Sequence, residues 1–454
     1  MGKKLFGTNG VRGITNREIT PEIALNIGKA VGTVLEGEEV AVGRDSRMGG
    51  EMLQHAVTSG LLSAGKSVVD VGFVPTPTLQ FIIPELGCTG GIVITASHNP
   101  PEFNGLKVMG SNGIEVSRDL EDEMEEIYFN EDFKLANWTE IGSKRSYDSA
   151  IDDYLQAIKS HVDIEAVKKQ GLKVVVDGAN SVGSLATPIL LRQIGCKVIS
   201  LNAQMDGLFP GRDPEPTPEN LKMLAAAVKA VGADFGIAHD GDADRATFVD
   251  ENGTILWGDQ SFAIMASYIL ADYENPTLVT PVSSGRLIED VAEEAGATID
   301  WTVVGSVDVS HRMMEIDAEM GGEENGGVFY PEHQAVRDGA MTAAKMAEIM
   351  AVENKTLSEL VADLPQYKSV KLAVDVPQEK KVDILEPLLK LTKDEKRITI
   401  DGVKLIYDEG WVLMRPSGTE PIWRCFAESE TEETAEKLAE KGKNMILKAL
   451  ATLE

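Results

Sequence analysis

Ile23, Ile27, Ala30, Val31 and Val34 recur at helical spacing, behind a Thr20-Pro21-Glu22 start that supplies an N-cap, a proline at the first helical position and an acidic first turn. The pattern then predicts a short buried strand over Glu39–Val42 and a helix over Met52–Ala64. The end of that helix recurs along the chain. Leu62-Ser63-Ala64-Gly65 precedes the β-like run Ser67–Val71, Leu191–Gly195 precedes Lys197–Leu201, and Glu293–Gly296 precedes Thr298–Thr302. Each reads as a helix closed by a left-handed glycine and followed by a strand. Three such units suggest three related α/β domains, although helix–Gly–strand is common in any α/β chain. Further apolar runs, Gly91–Thr95, Lys173–Val176 and Phe235–Ala238, each lead into a polar loop.

The tail follows another rhythm. From Tyr367 onward, short strands over Ser369–Val374, Val403–Tyr407, Trp411–Met414 and Trp423–Ala427 are interspersed with helices near Val382–Leu391 and Thr431–Leu450. Strands with few crossovers indicate a smaller α+β domain. The expected division is residues 1–150, 151–252 and 253–366 for three α/β domains and 367–454 for the tail domain.

Composition narrows the class. A chain of 454 residues with 43% apolar content suits three or four globular domains of roughly 100–200 residues each. It contains no run near the roughly 20 apolar residues of a membrane span and no secretory h-region. Three scattered cysteines, Cys88, Cys196 and Cys425, argue against a disulfide framework or a structural zinc site, and a cytoplasmic setting is expected. The formal charge of −30 repels nucleic acid and anionic membranes, so neither is an expected partner. Such an excess ordinarily serves solubility, and an anionic substrate would need a local cationic pocket.

Four loops carry the chemistry. Asp240-Gly241-Asp242-Ala243-Asp244-Arg245 lies between two apolar strands, and carboxylates at alternate positions of a bent loop can converge on one hard cation. An EF-hand is the rival, but Arg245 stands where that loop requires glycine, and the flanks are strands. Thr95-Ala96-Ser97-His98-Asn99-Pro100-Pro101 puts a serine just beyond a buried strand, where α/β folds place ligands. The Gly-x-Ser-x-Gly elbow is absent, so phosphoryl transfer beside a metal fits Ser97 better than acyl chemistry. Lys107 is close enough in sequence to share that cleft. Arg415-Pro416-Ser417-Gly418-Thr419-Glu420-Pro421 offers an arginine, hydroxyls and glycine N–H groups for a phosphate. In Gly321-Gly322-Glu323-Glu324-Asn325-Gly326-Gly327, Glu323 and Asn325 would project to one side of an extended segment, as partners for sugar hydroxyls. A plain turn is the competing reading of the last two loops.

In this order the four loops resemble those of the α-D-phosphohexomutase superfamily, and the resemblance spans the whole chain. The opening Phe6-Gly7-Thr8-Asn9-Gly10-Val11-Arg12-Gly13 looks most like the phosphoglucosamine mutases within it. The resemblance implies a heart-shaped, four-domain α/β molecule, three mixed α/β domains and a smaller α+β domain around a central cleft. It implies a phosphorylated Ser97, Mg²⁺ held by Ser97, Asp240, Asp242 and Asp244, and Arg12 beside the phosphoserine. Glu323 and Asn325 would meet the sugar, while Arg245, Arg415, Ser417, Gly418 and Thr419 would bind substrate phosphate. The implied reaction interconverts glucosamine 6-phosphate and glucosamine 1-phosphate through a 1,6-bisphosphate, which also serves as activator, and phosphomannomutase or phosphoglucomutase activity is the alternative.

Lys107 is the expected proton shuttle, on condition that burial or cationic neighbours lower its pKa, and His98 is a second candidate or a brace for the loop. A homodimer is plausible by the same resemblance. One departure stands out: Gly327 replaces the histidine that many members carry in the sugar loop, and His333 is six residues on. A phosphatase with an aspartyl nucleophile and an inactive phosphosugar-binding protein are the rival classes.

Overall fold

The structure, a computed structural model, describes residues 5–7, 9–417 and 421–453. Among the described residues the strands assemble into four sheets. The first sheet has the order Val11–Ile14, Phe103–Gly110, Gly90–Ile94, Glu39–Arg44, Ser67–Phe73 and Lys144–Ser146. Its last four strands are parallel, whereas Phe103–Gly110 runs antiparallel to both of its neighbours. The second sheet has the order Ala246–Asp250, Phe235–His239, Lys173–Asp177 and Lys197–Leu201, with only the first pair antiparallel. In the third, the parallel trio Thr298–Thr302, Thr277–Pro281 and Met320–Gly322 continues into Val328–Tyr330 and Gln334–Arg337. The fourth, from Lys368–Asp375 to Ile422–Ser429, is wholly antiparallel and is covered by the helix Glu432–Ala451. Three mixed α/β units and a smaller α+β unit are therefore the architecture, as the patterning anticipates.

The local signals act as expected where the chain is regular. Thr20 accepts a hydrogen bond from the Ile23 N–H and opens the helix Pro21–Val34. Gly65, Gly195 and Gly296 adopt φ of +84°, +113° and +65°, each turning a helix into the strand that follows. Some boundaries shift. The second helix starts at Gly50 rather than Met52, after Gly49 at φ 75°. The tail helix starts at Leu385 rather than Val382, which is 65% exposed. The strand Phe103–Gly110 is absent from the sequence reading, because its glycines and Lys107 interrupt any alternation.

The apolar core is not divided as evenly as the sheets. Val174 and Ile237 of the second unit join Phe262, Leu278 and Met346 of the third in one continuous buried cluster. The helix Gly339–Glu353, buried over its first twelve residues, forms much of this junction. The fourth unit has its own core around Val412, Trp423 and Ile446. It meets the third through a small apolar cluster of Val282, Trp411 and Leu413 and through polar contacts: Lys404 Nζ donates to Ser284 O at 3.0 Å, and the Arg286 N–H donates to Glu428 Oε1 at 2.6 Å. Phe262 packs against Gly322, where any Cβ would collide with its ring, and thereby supports the 321–327 loop. Phe262→Ala is expected to destabilise the protein by about 3–5 kcal/mol, read as a lower midpoint in urea unfolding.

Candidate active site

Ser97 follows the fully buried strand Gly90–Ile94 and is itself 1% exposed. Its φ is +50°, a left-handed conformation that costs a non-glycine residue about 1–3 kcal/mol and clusters at functional sites. The surrounding structure holds this turn firmly. The Ser97 N–H donates to Thr95 Oγ1 at 2.9 Å, and Thr95 Oγ1 donates to Asp45 Oδ2 at 2.6 Å. Arg47, fully buried and paired with Asp45 at 3.2 Å, donates to the carbonyls of Ser97, Asn99, Pro100 and Phe103. Arg12 closes the other side, donating to Ala96 O at 3.2 Å and Asn99 Oδ1 at 2.7 Å.

The Ser97 hydroxyl points at the acidic loop and donates to Asp240 Oδ2 at 2.7 Å. That loop is the tight connection between the antiparallel strands Phe235–His239 and Ala246–Asp250. Ligand oxygens of Asp240, Asp242 and Asp244 lie within 4.8 Å of one another, and all three residues are buried. Burial, then the charges of Asp244 and Asp242, push the Asp240 carboxyl above the usual range. Burial alone would raise Asp242 too, but Lys107 and the Thr76 hydroxyl outweigh it and hold that carboxyl well below the usual range. Thr76 Oγ1 donates to Asp242 Oδ2 at 2.7 Å, so a helix of the first unit orients an aspartate of the second.

Asp242 Oδ1 and Asp244 Oδ1 are buried without a hydrogen-bond partner. Such oxygens are costly unless something cationic meets them. An all-oxygen, all-carboxylate set with two free acceptors fits a hard divalent cation of the Mg²⁺ class.

Cations surround the trio. Lys107 sits opposite Val93 in the sheet, and its Nζ reaches Asp242 Oδ2 at 2.8 Å and Asp244 Oδ2 at 3.3 Å. Burial works to lower its pKa, yet these two aspartates more than reverse the effect and raise it. The two aspartates thus favour the charged form of Lys107, opposite to the lowered pKa expected of a proton shuttle. Arg245 donates to Asp240 Oδ2 at 3.2 Å and to both oxygens of Glu215, at 3.1 and 3.2 Å. His98 Nδ1 lies 3.3 Å from Ser97 Oγ and 3.7 Å from Glu215 Oε2, with the ring 45% exposed to the cleft. Desolvation, then the Arg245 charge, pushes its pKa down to about 4.

The 321–327 segment takes the turn that competed with the extended reading. Gly321 and Gly322 belong to a strand, and 323–327 is a turn closed by Glu323 N–H to Gly327 O at 2.8 Å. Glu323 turns inward, 4% exposed, and accepts from Arg337 Nη1 at 3.2 Å, while Asn325 stays exposed and accepts the Gly327 N–H at 3.0 Å. The tight turn, not a shared face of a strand, sets these two side chains. His333 does not stand in for the missing loop histidine. It is buried at the junction of three units, stacked on Phe81 with centroids 5.3 Å apart and 3.5 Å from Asp338.

Arg415 lies on the strand Gly410–Pro416, and Asp401 Oδ2 holds its Nε at 2.9 Å and also accepts the Val304 N–H at 3.2 Å. It lines a cavity of about 400 Å³, which shares Glu324 and Lys371 with a neighbouring cavity of about 450 Å³ lined by Arg245, Glu215 and Asn325. Arg415 therefore opens onto a cavity that adjoins the one containing Arg245. Ser417 is buried, and Gly418 and Thr419 lie outside the described residues. Four contributors have no motif to announce them: Arg47, Thr76, Glu215 and Arg337. Only the Asp45-Ser46-Arg47 spacing, a carboxylate two residues before an arginine after a buried strand, hinted at any of them.

Comparison with known proteins agrees with the four-unit architecture. Residues 3–135, 152–253 and 257–367 match the alpha/beta/alpha domains I, II and III of phosphoglucomutase/phosphomannomutase, and residues 372–443 match its C-terminal domain. The chain belongs to the phosphoglucomutase/phosphomannomutase family. Members of this phosphohexomutase family are isomerases that move a phosphoryl group within a sugar phosphate. A family relative from Thermococcus kodakarensis, named phosphoglucomutase/phosphomannomutase, is 50% identical over 98% of this chain and 99% of its own. Another from Sulfurisphaera tokodaii, named phosphoglucosamine/phosphogalactosamine mutase, is 46% identical over 98% and 99%. The crystal structure of a phosphoglucomutase/phosphomannomutase family protein from Burkholderia thailandensis superposes with a TM-score of 0.90 at 29% identity, over 98% of this chain and 97% of that one. No helix among the described residues is long and apolar enough to cross a membrane.

Proposed function

We propose that the protein interconverts glucosamine 6-phosphate and glucosamine 1-phosphate through a phosphorylated Ser97 and a 1,6-bisphosphate. The observation that carries this reading is the Ser97 hydroxyl donating to Asp240 at 2.7 Å, inside a buried carboxylate trio with two unpartnered oxygens. A serine held there gives and receives a phosphoryl group, because little covalent chemistry is asked of the protein beyond positioning and charge neutralisation. Asp240, Asp242, Asp244 and the Ser97 oxygen would hold Mg²⁺, which when bound neutralises charge on the phosphoryl oxygens.

The chain's own residues do the rest. Arg47 and Arg12 fix the serine turn, so that Oγ faces the transfer site without rearrangement. Arg245 and Lys107, both held as cations, offset the negative charge of a phosphorylated sugar in a molecule that is otherwise strongly acidic. His98, poised neutral beside Ser97 Oγ, is the group placed to take a hydroxyl proton. Glu323 and Asn325 meet sugar hydroxyls, and Arg415, Ser417, Gly418 and Thr419 take the phosphate that is not reacting. The bisphosphate turns over in the cleft and returns its second phosphate to Ser97, which accounts for a bisphosphate as activator. A homodimer in the cytoplasm completes the expected setting.

The relative named as a phosphoglucosamine/phosphogalactosamine mutase supports an amino sugar, whereas the one named as a phosphoglucomutase/phosphomannomutase favours glucose or mannose phosphate as the second reading. Turnover of glucosamine, glucose and mannose 1-phosphates, each primed with glucose 1,6-bisphosphate, separates them. The highest kcat/KM is expected for the glucosamine phosphate, and a value far below the other two overturns the choice.

A further inference from the structure

Gly327 is a glycine for want of space rather than for backbone freedom. Its φ lies outside the left-handed region, in contrast with Gly326 at φ +88°. A Cβ at Gly327 would overlap Arg337 Cδ and stand 3.0 Å from Cγ. The stem of Arg337 thus fills the volume that a side chain at 327 would take. Its guanidinium, on a side chain 11% exposed, then forks: Nη2 donates to Asp244 Oδ2 at 2.5 Å and Nη1 to Glu323 Oε2 at 3.2 Å.

The backbone beneath it is pinned. Arg337 pairs with Phe329 across the sheet, and the next residue, Asp338, caps the following helix and accepts from Tyr154 OH at 2.5 Å and Gln334 Nε2 at 2.8 Å. One rigidly mounted, planar cation therefore joins a carboxylate of the acidic loop to the carboxylate of the 321–327 turn. A fork of this kind fixes direction as well as charge, and a lysine cannot reproduce it.

We propose that Arg337 is a positioning residue that aims the Glu323 carboxylate at the sugar by fastening it to Asp244, and that Gly327 exists to admit it. This rests on the reading that Glu323 contacts the sugar. Pairing with Asp244 uses Oδ2 and leaves Oδ1 without a hydrogen bond, 3.9 Å from Arg245 Nε, so the fastening does not consume that acceptor. Without Arg337, Glu323 would face burial with no cation beside it and would swing toward solvent or take up a proton.

The test is a pair of double-mutant cycles in full-length Ser97→Ala protein, which binds without turning over, with calorimetric titration of glucosamine 6-phosphate at fixed Mg²⁺. Arg337→Gln and Glu323→Gln are each expected to weaken binding about tenfold, the loss of one charge-assisted contact. The double variant should be no weaker than the worse single by more than about twofold, because the two residues act as one unit. Independent losses that multiply to about a hundredfold would overturn the fastening. Normal binding by Glu323→Gln alone would instead overturn the reading that Glu323 meets the sugar, and the proposal with it.

The second cycle reaches the same contact without removing the charge; where the Arg337 variants fail to fold, folded Gly327→Ala decides alone, and undiminished binding by it overturns the proposal. Gly327→Ala should weaken binding about tenfold in the presence of Arg337 and have no further effect in an Arg337→Ala background, thermal melts confirming that each variant is folded. A loss from Gly327→Ala that persists without Arg337 contradicts the proposal.

Discussion

Replacing Ser97 by alanine is expected to lower mutase turnover by at least about a thousandfold, with the fold intact. The side chain removed is a single hydroxyl whose bonds are to Asp240 and His98, and the turn is held from outside by Arg47, Arg12 and Thr95. Alanine tolerates φ of +50° about as poorly as serine, so the backbone cost is unchanged. Activity therefore falls for want of a phosphoryl carrier and not through collapse of the loop. Steady-state assay beside a thermal melt checks both halves. A phosphatase working through an aspartyl nucleophile would keep its activity in this variant, and a protein that only binds phosphosugars would have none to lose.

The second large effect concerns the carboxylate trio. Mg²⁺ at about 100 times its dissociation constant is expected to stabilise the folded protein by about 2.7 kcal/mol, since the site exists only when the chain is folded. Without Mg²⁺, repulsion among the three buried carboxylates is offset by Lys107, Arg245 and Arg337, but Asp242 Oδ1 and Asp244 Oδ1 accept no hydrogen bond. Asp242→Asn should remove most of the Mg²⁺-induced rise in melting temperature and abolish most mutase activity. The variant should itself melt lower without Mg²⁺, because the buried carboxylate that Lys107 meets at 2.8 Å is neutralised, so the shift on adding Mg²⁺, not the starting melting temperature, is the readout. Melting curves in Mg²⁺ and in chelator test this. Equal Mg²⁺ shifts for the parent and the variant would show that the cation binds elsewhere.

Much of this site was legible from the chain because its chemistry is local. The acidic loop carries its three carboxylates within five consecutive positions, and flanking apolar runs identify it as a turn between strands. Ser97 announces itself by following a buried strand. What stayed hidden comes from long range. Arg47, Thr76, Glu215 and Arg337 reach the site from separate elements, and no spacing rule links a lone arginine at 337 to an aspartate at 244. Periodicity reports which face of an element is apolar, but not which neighbour covers it. The same limit hid the common core of the second and third units, where Phe262 and Met346 pack with Val174 and Ile237.

Lys107 was legible by its place near the serine loop, but its charge partners were not. Burial argues for a lowered pKa, but only the three-dimensional arrangement reveals two aspartates within 3.3 Å. Gly321 and Gly322 allow a close approach as their type suggests, but only the fold shows of what: Met313 packs against the first and Phe262 against the second, inside a strand.

The proposed reaction depends on Ser97 as the residue that carries the phosphoryl group. Protein incubated with glucose 1,6-bisphosphate and Mg²⁺, then digested and mapped by mass spectrometry, should show one phosphoryl group on the peptide containing Ser97, discharged when an excess of hexosamine phosphate is added. Full turnover with Ser97 unmodified, or a phosphoryl group that sits on another residue and discharges at the catalytic rate, would contradict it.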